Sequence, residues 1–167
     1  MKKLVTIILT VLLTSTMFAS RPVAVSASSV LETVNGGGTA LMGFPGLAKG
    51  VSSFGFGATL YADGSAVGHF DCVDLMGDVT GAGNIFGDIT SWSREPITGY
   101  LILHVTNGKF VSFPGGLVAS GIDFTVTIQK YGGAGVGHWS LTTGKGIICW
   151  ETLISGQIVE KDIYKNS

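Results

Sequence analysis

Charge is scarce in this chain: 10 Lys and Arg stand against 11 Asp and Glu in 167 residues. No basic run occurs, which excludes the phosphate-tracking surface of a nucleic-acid-binding protein. Only two cysteines, three histidines and four prolines are present. No H-x-H or H-E-x-x-H pair occurs, so the usual spacings of metal ligands are missing. No G-x-S-x-G elbow is found, and no glycine run leads into Gly-Lys-Ser/Thr ahead of a helix, which removes the familiar nucleophile and phosphate-cradle signals. A convincing 3.6-residue apolar period is absent beyond the N-terminus. Glycine itself is absent from the first 35 residues, yet the rest of the chain holds 26.

That last asymmetry divides the chain. Lys2 and Lys3 precede the apolar run Leu4 to Leu13, Pro22 breaks the pattern, and Val25-Ser26-Ala27 offers a small-residue cleavage site. Residues 1–27 therefore read as a secretory signal peptide, too short in its apolar part to span a bilayer. Residues 28–35 read as a flexible leader, 36–160 as a single domain, and 161–167 as a polar tail. Loss of Lys2, Lys3 and Arg21 with the signal leaves 7 basic against 11 acidic residues, a formal charge of −4. The product is expected to be secreted or periplasmic, with no stable membrane span after cleavage. Cys72 and Cys149 would then meet an oxidising compartment, and a disulfide between them is expected.

Within the domain, Phe54, Phe56, Ala58 and Leu60 alternate with Gly55, Gly57, Thr59 and Tyr61, and Ile122 to Gln129 alternates likewise. Such period-2 patterns put one face in a core and one in water. Further strands are expected over 66–75, 85–92, 97–106, 109–113, 136–143, 146–154 and 156–160. Asp63-Gly64 and Asn107-Gly108 signal short hairpins, Gly144-Lys145-Gly146 and Ser155-Gly156 weaker turns. The expectation is an all-β antiparallel small barrel of about 8–10 short strands, with a two-sheet sandwich as the alternative.

Val67-Gly68-His69-Phe70 recurs as Val136-Gly137-His138-Trp139, 69 residues on. His69, His104 and His138 all fall out of phase with their apolar neighbours. His69, His138 and Asp71 could be drawn into one metal or acid–base site, though the spacing favours neither metal nor cofactor. The acidic stretch Asp71 to Asp78 does not fit a calcium loop. Glu95, Glu151 or the same acids would have to meet across a cleft to act as glycosidase carboxylates, and nothing in the sequence places them there. Trp139 and Trp150 read as core, whereas Trp92, among Ser91, Ser93 and Arg94, reads as a loop contact.

The hairpin FGFGATLYADGSAVGHFDC resembles segments of small secreted bacterial glycine-rich all-β proteins. The resemblance implies the fold and supplies no catalytic residue. The leading expectation is a secreted, non-enzymatic binding domain acting through loops or a cavity. His69, Asp71, Trp92, His104 and His138 are the ligand-binding candidates, and the partner is a small molecule, a glycan or an envelope protein. A small-barrel hydrolase or isomerase using His69 or His138 with Asp71 is one alternative, and a small outer-membrane barrel is another.

Overall fold

The alternating stretches become strands. In the computed structural model, which describes residues 28–43, 50–75, 82–113 and 115–163, the strands are β1 (Val30–Gly43), β2 (Gly50–Tyr61), β3 (Ser65–Asp74), β4 (Gly83–Arg94), β5 (Leu101–Ser112), β6 (Gly116–Lys130), β7 (Gly132–Gly133), β8 (His138–Thr143), β9 (Gly146–Leu153) and β10 (Gln157–Asp162). There is no helix among the described residues. The signal segment 1–27 lies outside them.

Eight strands close into an antiparallel barrel in the ring order β2-β3-β4-β5-β6-β8-β9-β1, with β1 pairing back onto β2. A barrel leaves no open sheet edges, and it settles the choice against a sandwich. β10 and β7 lie outside the ring. β10 takes over along β1 where β9 leaves it: Ala40 faces Leu153, but Gly37 faces Gln157, so one extra residue is inserted at the 154–156 bend. That jog needs bare backbone, since a Cβ on Gly156 would stand 2.8 Å from Gly38 Cα.

Three sequence expectations are corrected. Residues 30–35 are no leader but the start of β1, held by β2 on one side and, over 32–35, by β10 on the other. Asn107-Gly108 makes no hairpin: β5 runs straight through it, with Asn107 at φ 53 and a register shift against β6. It is a bulge, because the apolar phase resumes on both sides and Phe124 occupies the space a Gly108 side chain would need. The Ser155-Gly156 turn joins two strands that both pair with β1 and not with each other. Asp63-Gly64 does turn β2 into β3, with Asp63 Oδ1 accepting from Ser65 N at 2.9 Å.

Inward-facing Phe54, Phe56, Phe70, Phe124 and Trp139 fill the middle of the barrel. The first V-G-H-aromatic segment sits on β3 and the second leads into β8, four places apart on an eight-strand ring and so on opposite walls. Their aromatics meet at the centre: Phe70 and Trp139 pack edge-on with ring centroids 5.3 Å apart. The glycine of the first copy lets β2 and β3 approach, for a Cβ on Gly68 would lie 2.7 Å from both Ala58 Cα and Cβ. Gly68→Ala is expected to cost about 1–3 kcal/mol in urea unfolding. Gly55→Ala on the same hairpin, with nothing within 4 Å of the new methyl, should change stability by less than about 0.5 kcal/mol. Equal effects at the two positions would refute the close-approach account.

The lower end of the barrel, beneath the β2–β3 and β4–β5 turns, is closed by charge. Arg94 on β4 donates to Glu32 Oε2 on β1 at 2.6 Å and to Glu160 Oε1 on β10. Burial, which opposes the arginine charge, is outweighed by Glu160 and then Glu32, so Arg94 stays cationic above its ordinary range. Burial, then Glu160, pushes Glu32 up. Tyr131 stands over the group, its phenol raised to about 12 by burial and then by Glu160.

Candidate functional site

The upper end of the barrel is different. Along β3 the inward positions are Phe70, Cys72 and Asp74, and along β9 they are Leu153, Glu151 and Cys149. Each ladder climbs from the aromatic middle through a polar layer to the mouth. In that layer Glu151 is fully buried. Its Oε2 accepts a hydrogen bond from Ser52 Oγ of β2. Its Oε1 accepts from Cys72 Sγ at 3.6 Å and, more weakly, from Cys149 Sγ at 4.0 Å. Burial pushes the Glu151 carboxyl up to about 7; the Ser52 and Cys72 hydrogen bonds pull it down, and Asp74 adds to the rise.

The two sulfurs are unbonded and buried, so the expected disulfide is not formed. The physical reason lies between them: both thiols turn to the same carboxyl oxygen instead of to each other. Burial, then the Glu151 charge, raises both thiols far above their ordinary range. They are therefore poor nucleophiles, since the thiolate is the reactive form.

Above this layer lies a cavity of about 220 Å³. Its wall is mostly apolar, with Met42, Ile85, Phe110, Ile122, Leu141 and Ile148 prominent, and Cys72 and Cys149 contribute from the Glu151 layer. Asp74 is the one charged residue in that wall, and no Lys, Arg or His joins it among the described residues. Ile148, the extra residue where β9 slips against β8, reaches the mouth and is 42% exposed. The turn that joins β8 to β9 is at this end of the barrel.

None of the five ligand-binding candidates read from the sequence lines the cavity. All three histidines point outward, as their phase required. His69 meets Asp88 Oδ1 at 3.1 Å on the surface of β3–β4, and Asn84 Nδ2 donates to Asp71 Oδ2 nearby at 3.2 Å. His138 lies on the opposite wall beside Thr152 Oγ1 at 3.1 Å, held below its ordinary value by burial and then Lys130. His69 and His138 cannot share a site across a filled barrel. His104 pairs with Ser93 Oγ at 3.2 Å on a third face. Trp92 is no loop contact: it lies within β4, two residues before its end, packs on the core, and its indole donates to Tyr61 O at 2.9 Å. Trp150, by contrast, is 39% exposed and covers Gly43. Among the described residues no group of three or more His, Cys, Asp or Glu is arranged to hold a metal ion.

Sequence reasoning missed Glu151, Ser52 and Asp74 as a set. The signal was present, because each stands in the apolar phase of its strand, beside Cys149 and Leu153, Phe54, and Cys72. Compared with known protein families, curated proteins and solved structures, the chain matches none of them.

Proposed function

We propose that the protein is a non-enzymatic, exported binding barrel that takes a small apolar molecule into its upper cavity. The observation that carries this reading is the asymmetry of the barrel interior. One end is plugged by the Arg94, Glu32 and Glu160 group, while the other opens on an apolar hollow of about 220 Å³. The hollow is open at the mouth, so its apolar wall meets water, and a ligand that covers this wall gains about 25 cal/mol per Å² of apolar surface removed from water. Pockets for drug-sized molecules start at about 300 Å³, and a dry cavity of about 150 Å³ already admits benzene. The ligand is therefore one ring or a short chain.

Support against chemistry at this site comes from its thiols, which burial keeps protonated, and from the absence of any histidine in the described wall. Support against a membrane-embedded barrel comes from exposed His69, Asp88, Lys109 and Asp123 on the outer face, where such a barrel carries an apolar band.

Titration with toluene, followed on the methyl resonances of Ile122 and Leu141, is expected to give saturable one-to-one binding. Ala119 is also part of the cavity wall, and Ala119→Phe, whose ring would enter the cavity, should abolish binding without unfolding the protein. Absence of saturable shifts, or binding that survives Ala119→Phe, would sink the reading.

A further inference from the structure

Resting on the reading of the upper cavity as a binding site, we propose that the rim around its mouth docks on a lipid bilayer, from which the apolar ligand enters. β3 and β5 end where β6 and β9 begin, so the side chains there encircle the mouth. Leu75, Phe113, Val118 and Ile147 are each more than half exposed, and Ile148 and Trp150 stand beside them on β9. Turns and strand ends ordinarily carry glycine or short polar residues. Here the slip of β9 against β8 leaves two successive isoleucines exposed at the mouth. The rim is also fixed in place: Leu75 N donates to Val51 O at 3.0 Å, and Phe113 N donates to Ala82 O at 2.7 Å. A fixed rim loses little conformational freedom when it is covered.

What covers the rim follows from its shape. A protein interface puts its apolar groups at the centre and its polar groups at the edge. This end reverses that order, because its centre is the hollow and its apolar groups form the ring. A second copy set end to end would place one hollow against another. Acyl chains are fluid and fit a ring with an open centre, and an apolar molecule concentrates among them. Ile148 belongs both to the cavity wall and to the exposed rim, so a molecule passing from one to the other keeps an apolar contact. Trp150 and Lys145 suit the boundary itself. An indole sits well at the headgroup level, and exposed Lys145 on the β8–β9 turn reaches the phosphates. The wall below, with exposed His69, Asp88 and Asp123, stays in water. Ile97 at the opposite end is exposed too, but it shares a turn with Glu95 beside the Arg94, Glu32 and Glu160 group, whose charges hold water there.

The test uses the exported protein, since the apolar run Leu4 to Leu13 would bind lipid by itself. Binding is read by co-sedimentation with vesicles of equal parts phosphatidylcholine and phosphatidylglycerol, and depth by quenching of tryptophan emission with brominated acyl chains. Saturable binding with quenching is expected. Val118→Glu and Ile147→Glu should each weaken binding more than about tenfold, and Lys145→Gln about fivefold. Trp150→Phe should remove most of the quenching, because Trp139 is fully buried and Trp92 packs on the core. Ile97→Glu should leave binding unchanged. An unaltered urea midpoint shows that each variant is folded. Absence of binding, binding without quenching of Trp150, or an equal loss in Ile97→Glu overturns the inference. So does a dimer that the rim variants break while vesicles are ignored, for then a second copy covers the rim. If toluene binds and vesicles do not, the docking fails alone. If vesicles bind through the rim and toluene does not enter, the cavity reading fails and the entry route with it, while the contact with lipid stands.

Discussion

Between pH 4.5 and pH 8 the native protein is expected to lose about 3 kcal/mol of stability on account of one side chain, Glu151. In the unfolded chain this carboxyl ionises near 4.5, and in the barrel at about 7. Below 4.5 both states hold the proton and the folded state keeps its full advantage. From 4.5 to 7 the unfolded chain releases a proton that the native state retains, so stability falls as pH rises. Above 7 both are ionised and the loss is complete. Glu151 faces Ser52 of β2, Cys72 and Asp74 of β3 and Cys149 of its own strand, and of these only Asp74 is a second carboxylic acid. His138, held below its ordinary value, acts in the opposite direction, because a histidine kept neutral destabilises the fold as pH falls. The decisive comparison is therefore wild type against Glu151→Gln in urea unfolding across this range. The variant keeps an acceptor for Ser52 and removes the charge. It should match wild type near pH 4.5, exceed it by up to about 3 kcal/mol at pH 8, and flatten the profile. Parallel profiles for the two proteins would show that Glu151 does not titrate as a buried acid.

Trp139→Ala is expected to cost about 3–5 kcal/mol, enough to threaten folding outright. Trp139 is fully buried and touches Phe70 and Phe54, with centroids 5.3 and 5.4 Å away. It ties β8 to β2 and β3 across the ring, so the void left by its removal cannot be closed by one wall moving inward. Its indole N–H has no hydrogen-bond partner among the described residues, and a buried unpaired donor costs about 1–3 kcal/mol. Trp139→Phe keeps the ring contact and removes that donor. It should therefore lie much closer to wild type than the alanine variant does. Similar losses for Phe and Ala in chemical denaturation would show that the central aromatic contact is not what holds the walls together.

Much of the fold was legible from residue order. The alternation in Phe54 to Tyr61 and Ile122 to Gln129 is local, and local patterns survive into strands because the side-chain period is 2 whatever the partner strand is. The Asp63-Gly64 turn was legible for the same reason. Asn107-Gly108 misled because a left-handed asparagine before glycine serves a bulge as well as a hairpin, and the strand paired alongside decides between them. The site was less legible. Polar residues in an apolar phase were visible at Ser52, Asp74 and Glu151. That they come from three strands and gather at one end of the barrel depends on strand order and register, which no local pattern carries.

The repeated V-G-H-aromatic segment separates the two kinds of knowledge. Residue order alone determined that His69 and His138 face away from the core, that Phe70 and Trp139 face into it, and that the chain is all-β. Only closure of the ring decided that the two copies stand on opposite walls, which parts the histidines and brings the aromatics together. Closure also set Cys72 and Cys149 around Glu151 and left one end of the barrel plugged and the other hollow. The reason is geometric: alternation fixes which way a side chain points relative to its own strand, and the closed sheet fixes what it then meets.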